Sequence, residues 1–334
     1  MTTYTAPNSN LGLKQILQPV AADIAQIDDI LRSISTLDNP LLNEMVEAII
    51  AAGGKRLRPA ILFMSALFND YQLERLLPMS AAIELLHTAT LIHDDTIDEA
   101  LVRRGLPTLN SLVDPGTTVL VGDYIFAKSA VLSTMGGKQR ATRIFADSLV
   151  TICEGEIEQK FSMHHIPRTV EQYFKRIYSK TAVLFAAAGE LGAVLSDAPE
   201  EQVQSLRHYG KQVGMAFQIV DDILDLRATS QQLGKPTGGD LRQGTVTLPT
   251  MFYLETATGE EREVVTRVIE NEERPDDLVE RAIMLVNESG AVERAHAEAM
   301  RFVEEAKASL TRLPDVPTRQ SLIDLADFVV RRDF

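Results

Sequence analysis

A single cysteine, Cys153, occurs among 334 residues, so no disulfide can form within the chain. A reducing compartment, the cytoplasm, is the natural expectation. Basic charge is also scarce: Lys and Arg total 33 against 47 Asp and Glu, a formal net charge of −14 at pH 7. That balance argues against a nucleic-acid binder, whose footprint would be basic. It leaves an anionic substrate open, because local basic clusters and bound cations reverse the field inside a cleft. No uninterrupted apolar run reaches the roughly 18 residues of a membrane span. The opening stretch, Met1-Thr2-Thr3-Tyr4-Thr5-Ala6-Pro7, lacks the basic region and apolar run of a secretory signal. The expectation is a soluble protein, or one that at most sits on a membrane surface. Its 45% hydrophobic and 24% charged residues are enough to build a large buried core.

Period-2 strand patterns are missing as well; apolar residues recur at helical spacing almost throughout. The spacing predicts a helix over 11–35, ended by Asp38-Asn39-Pro40, and another over 41–52, stopped at Gly53-Gly54. Pro59 suits a helix start, giving 59–68. A strongly apolar helix over 73–98 precedes the polar loop Arg103-Arg104-Gly105-Leu106-Pro107. Helices over 117–134, 138–162, 169–195 and 200–228 follow, then a Gly-rich loop over 234–244 and shorter helices. No linker, low-complexity tract or short repeat interrupts 1–334. The chain reads as one all-α domain, a single large antiparallel helix bundle with a central active-site cavity between facing helices.

Two acidic strings stand out: Asp94-Asp95-Thr96-Ile97-Asp98 and Asp221-Asp222-Ile223-Leu224-Asp225. Each ends an apolar helix. In each, the first and last aspartates are at i and i+4, on one helix face and about 5–6 Å apart. Two carboxylates so placed repel, and burying them bare would cost far more. Magnesium resolves the conflict, since it takes oxygen ligands and is typically shared between carboxylates and a substrate phosphate. A solvated helix end would explain one such string but not two. An EF-hand is excluded, because neither string has its alternating ligands, central glycine and terminal glutamate.

A phosphorylated ligand calls for fixed positive charge. Gly53-Gly54-Lys55-Arg56-Leu57-Arg58-Pro59 sets three cations on a turn entering a helix, and Arg103-Arg104 follows Asp98 closely; Lys180-Thr181 and Lys235 are further candidates. Gly-Gly-Lys here is not a P-loop, which ends Gly-Lys-Ser/Thr after a strand. His87 alone would be an ordinary helix histidine. His164-His165 reads as a surface pair, Cys153 as a small buried hydrophobe, and Glu154, Glu156 and Glu158 as a polar helix face.

Taken in order, Gly-Gly-Lys-Arg-Leu-Arg-Pro, His87, Asp94 to Asp98, Arg103-Arg104-Gly, Lys180-Thr181, Phe217-Gln218 and Asp221 to Asp225 resemble the polyprenyl synthetase family over nearly the whole chain. The resemblance implies a trans-prenyl diphosphate synthase. Such an enzyme lengthens an allylic diphosphate with isopentenyl diphosphate and repeats the cycle while the tail slides down an apolar channel. It implies that Lys55, Arg58, His87 and Arg104 receive the isopentenyl diphosphate headgroup. Arg103, Lys180, Thr181, Gln218 and Lys235 would surround the allylic substrate. Asp94 and Asp98 would ligate two magnesium ions and Asp221 in the second string a third. Asp95, Asp222, Asp225 and Lys180 complete the expected catalytic set. One departure is plain: where the family often carries a lysine after the late-loop glycine, Gly244 is followed by Thr245. The resemblance also implies a homodimer, and weak association with membrane surfaces through the apolar product.

Short-chain members commonly place aromatic rings four and five residues before the first aspartate string. Here those positions hold Ala89 and Thr90, with Leu86 and Ile83 further down as floor candidates and Phe126 on the neighbouring helix. Products longer than fifteen carbons are expected, a geranylgeranyl or farnesyl diphosphate synthase being the alternative. A class I terpene cyclase would not need Lys55, Arg58 and Arg104. A non-catalytic regulatory subunit would be expected to have lost aspartates or basic residues.

Overall fold

Helix ends in this chain follow local chemistry. Asp114 caps one helix by accepting the N–H of Thr117 at 3.0 Å, and Pro115 holds the first helical position, where no N–H is needed. Thr169 caps another by accepting from Gln172. The computed structural model describes residues 12–34, 38–51, 53–103, 106–162, 164–167, 169–227, 237–271 and 273–331. Its helices of eight residues or more are α1 (Ala21–Ser33), α2 (Pro40–Ala51), α3 (Leu57–Ala66), α4 (Leu73–Ile97), α5 (Pro115–Thr134), α6 (Gln139–Ser162) and α7 (Val170–Ile177). They continue with α8 (Val183–Leu195), α9 (Glu200–Arg227), α10 (Leu248–Thr256), α11 (Gly259–Glu270), α12 (Asp276–Glu288), α13 (Ala291–Leu310) and α14 (Pro317–Val330).

Three elements differ from expectation. The helix expected over 11–35 is broken into a turn at Leu13–Ile16, a 3-10 turn at Gln18–Val20 and then α1. Pro19, which has no N–H for the ladder, lies in the break. The rod expected over 169–195 is α7 and α8 joined by a π turn, Tyr178–Ala182, closed by the N–H of Val183 on the carbonyl of Tyr178. The loop after α4 carries a small ribbon, Val102–Arg103 antiparallel to Leu106–Pro107, too short for a period-2 pattern to show.

The centre is α8, where every residue of Val183–Leu195 except Glu190 is buried. Helices α3, α4, α6 and α9 enclose it. A Cβ on Gly189 would lie 2.2 Å from the Leu206 carbonyl oxygen, and one on Gly210 would lie 2.2 Å from that of Phe185. Helices α8 and α9 therefore meet backbone to backbone, which fixes the C-terminal half of α9 against the π turn. Among the described helices, α4 is long and apolar enough to cross a membrane by length and composition. It is mostly buried and packs along α5, as a core helix does. Cys153, expected in the core, is exposed on α6.

Candidate active site

One cavity of about 1690 Å³ gathers both acidic strings and most of the predicted cations. Lys55, Arg58, His87, Asp94, Asp95, Asp98, Arg103, Lys180, Thr181, Gln218, Asp221 and Asp222 all line it. Arg104 and Lys235 lie outside the described residues.

The first acidic group sits where α4 ends, with Asp98 as its cap and Glu99 in the left-handed region at φ 52°. Lys180, presented by the π turn, places Nζ 3.0 Å from Glu156 Oε1 and 3.5 Å from Asp94 Oδ2. Three carboxylates, Asp94, Asp98 and Glu156, thus share one ammonium. Burial raises Asp98 and Glu156 above the usual carboxylate range; Lys180 opposes the shift and the charge of Asp94 reinforces it. Burial alone would lower Lys180, but Asp94 and Glu156 outweigh it and hold the ammonium charged. Among the described residues, no three His, Cys, Asp or Glu side chains converge closely enough to hold a metal by themselves. Surplus carboxylate charge on an open cavity suits a divalent cation whose sphere is completed by phosphate oxygens and water. Asp95 does a different job. It is buried, and its Oδ1 accepts from Arg103 Nε at 2.7 Å, with Nη2 of the same guanidinium 2.7 Å away in an ion pair.

The second group lies on α9. Asp221 faces the cavity, while the buried Asp222 accepts from the Tyr173 hydroxyl at 2.7 Å and from Gln218 Nε2 at 2.8 Å. Gln218 Oε1 in turn accepts from Thr181 Oγ1 at 2.6 Å, so the π turn and α9 are tied through one amide. Burial pushes the Asp222 carboxyl up to about 6 against the pull of these bonds and of Arg176. Asp225, expected in the catalytic set, is buried and not among the cavity-lining residues. Its Oδ2 accepts the N–H of Asp240 at 3.0 Å and its carbonyl that of Gly238 at 2.8 Å, which ties down the late loop.

The basic turn before α3 divides its cations. Arg56, left-handed at φ 50°, pairs with Glu84 at 2.7 Å and Asp28 at 2.9 Å. Arg58 stacks 4.5 Å from the centre of the Phe185 ring, and Lys55 lies 6.0 Å from that of Phe328.

Three side chains in this architecture were not expected from sequence. Glu156, read as part of a polar face, lines the cavity against Lys180; Tyr173 anchors Asp222; and Arg176 lines the cavity beside them. His164, read as a surface residue, is half-buried, with Nδ1 2.5 Å from Arg274 Nη2. The chain-length positions separate as well. Thr90 lines the cavity, but Ala89, Leu86 and Ile83 are fully buried and do not. At about 100° per residue, Ala89 points roughly 140° away from Asp94 and Thr90 only about 40°. One turn beyond Ala89, His93 rests against Gly122 of α5, so that side of α4 is packed against α5. Phe126 is half-buried against the core and does not line the cavity.

A polyprenyl synthetase family model matches residues 39–286. The chain is 38% identical to a heptaprenyl diphosphate synthase component 2 of Geobacillus stearothermophilus, over 97% of this chain and 100% of the relative. It is 35% identical to an octaprenyl diphosphate synthase of Escherichia coli, over 97% and 100%. The fold is similar to the crystal structure of a decaprenyl diphosphate synthase from Rhodobacter capsulatus, with TM-score 0.89, 40% identity and coverage of 96% of this chain and 98% of that one. A polyprenyl synthase from Caulobacter crescentus, complexed with calcium and isoprenyl diphosphate, aligns with TM-score 0.92 and 34% identity over 96% and 98%.

Proposed function

The chain belongs to the polyprenyl synthetase family, and on that premise we propose that it is a trans-prenyl diphosphate synthase. In this reading it condenses an allylic diphosphate with isopentenyl diphosphate and builds a product longer than fifteen carbons. The observation that carries the reading is the meeting, on one cavity, of two carboxylate groups from α4 and α9 with two sets of cations. A cyclase of one diphosphate would need only one set.

Asp94 and Asp98 on one wall and Asp221 on the other would hold the expected three magnesium ions. When bound, these supply electrostatic stabilisation to the departing diphosphate. Lys180 and Arg103 orient the allylic diphosphate; Asp95 aims Arg103, while Glu156 and Asp94 keep Lys180 charged. Lys55, Arg58 and His87 seat isopentenyl diphosphate so that its double bond meets the allylic carbon as the carbon–oxygen bond breaks. The released proton passes to the departing diphosphate. The new allylic diphosphate re-enters the cycle, its tail against the apolar wall that includes Leu85, Leu91 and Ile92.

The reading extends to a homodimer. Leu120 and Val131 on α5, and Val150, Ile157 and Phe161 on α6, are exposed apolar residues at helical spacing, and Phe161 is 83% exposed. Exposed apolar residues at helical spacing on two helices are the feature that supports an association face. The purified protein, incubated with magnesium, labelled isopentenyl diphosphate and an allylic diphosphate, is expected to yield long-chain alcohols after dephosphorylation. Cyclic hydrocarbons, or turnover only with a second, different component added, would overturn the proposal.

A further inference from the structure

The second carboxylate group is served by a cation that the sequence motifs do not include. The late loop reaches the cavity with Thr245, the position where the family often carries lysine. Arg242, on the same loop, also lines the cavity, but its guanidinium is held towards the protein, where Nε donates to the Thr237 carbonyl at 3.0 Å and Nη1 pairs with Asp276. Arg176 comes instead from α7, one helical turn before Lys180. Its guanidinium lies 5.4 Å from the centre of the Tyr173 ring, and Nη2 donates to the carbonyl of Val246, the neighbour of Thr245. It lines the cavity and is half-buried. A guanidinium carries five N–H donors. One bond to Val246 positions the fork and leaves donors for a ligand. Tyr173, beside which the guanidinium lies, donates its hydroxyl to Asp222 at 2.7 Å, so Arg176 stands at the wall that Asp221 shares.

We propose that Arg176 is a diphosphate-binding residue that supplies, from α7, the positive charge that Thr245 does not supply from the late loop. The ligand it takes is the diphosphate of the allylic substrate, and this assignment rests on the synthase reading above. Arginine suits the position because its planar fork contacts phosphate oxygens in pairs. The two acidic groups then have matching complements: Lys180 and Arg103 at the first, Arg176 at the second.

The test compares wild type, Arg176→Gln, Thr245→Lys and the double variant. Glutamine keeps an N–H for the Val246 carbonyl and removes the charge. Binding of inorganic pyrophosphate in magnesium buffer is followed by calorimetry, and KM is measured for each substrate in turn. Arg176→Gln is expected to weaken pyrophosphate binding and raise the allylic KM about ten-fold or more, as loss of a charged hydrogen bond does. The KM for isopentenyl diphosphate is expected to stay within about two-fold, below what losing a hydrogen bond to a charged group would cause. Adding Thr245→Lys to Arg176→Gln is expected to recover most of the loss, an effect that a merely structural arginine would not show. Pyrophosphate binding unchanged in Arg176→Gln, equal damage to both substrates, or no recovery in the double variant would each overturn the assignment. A wild type that makes no elongated product would instead overturn the synthase reading, and pyrophosphate binding would still decide the role of Arg176.

Discussion

Asp94, Asp98 and Glu156 compete for Lys180 in the metal-free protein, and that competition sets what their removal does. Asp94→Ala is expected to abolish turnover while leaving metal-free melting unchanged or slightly higher, because like-charge repulsion of a few tenths of a kcal/mol is relieved. Activity assays and circular dichroism melts in chelator check this; a clear drop in metal-free stability would show that Asp94 packs the fold instead. Asp95 makes a separate prediction. Since its carboxylate aims Arg103, Asp95→Asn is expected to resemble Arg103→Ala, raising the allylic KM more than that for isopentenyl diphosphate. Each lost charged hydrogen bond is worth about 1.5–3 kcal/mol, roughly 10- to 150-fold. Steady-state kinetics with each substrate varied separately would reject the link if Asp95→Asn affected both substrates equally.

Helices carry the pH dependence and the channel. At the start of α9, Glu200 bonds Arg140 of α6 at 2.6 Å and 2.9 Å, and the guanidinium holds its carboxyl down at about 2. A depressed carboxylate stabilises the fold above its unfolded value of about 4.3, and that contribution is lost as pH falls towards 2. Glu200→Gln is therefore expected to melt below wild type at pH 7 and together with it near pH 2. A gap that persisted in acid would place the effect elsewhere. On α4, Thr90→Phe is expected to shorten the main product without ending turnover, because Thr90 faces the cavity. Mass analysis showing the parental length would mean that the tail leaves by another wall.

The same helices show what was legible beforehand. Asp94 with Asp98 and Asp221 with Asp225 could be read because i, i+4 geometry is local. Their division of labour could not, since Asp95 is defined by Arg103, and Asp222 by Tyr173, 49 positions away. Glu156 shares its sequence context with Glu154 and Glu158, and only Lys180, across 24 positions, separates it from them. Counting residues back from Asp94 measured depth along α4 and missed direction around it, so Ala89 and Thr90 looked equivalent. Pro19 could have warned of the first break, whereas no residue type marks the π turn.

At the scale of the whole molecule, the net charge of −14 and the apolar stripes on α5 and α6 act together. Long-range repulsion would oppose association, and burial of the exposed apolar residues would drive the proposed dimer once two copies meet. The dimer is expected to persist in sedimentation at micromolar concentration. Ile157→Glu paired with Leu120→Glu is expected to give monomers with an unchanged helical spectrum. A monomeric wild type would overturn the proposed dimer, and a doubly substituted protein that still pairs would place the contact on another surface.

The π turn has a consequence for how this chain can change. A regular helix assigns every side chain its bearing by count alone, and one additional residue resets that count. Before Ala182, the bearing of Arg176, Lys180 and Thr181 is set by the cavity; after it, Val183–Leu195 is set mainly by the core. Removing one residue between Thr169 and Ala182 would turn one half against the other by about 100°, taking either the cations out of the cavity or the apolar residues out of the core. The segment therefore has almost no freedom in length.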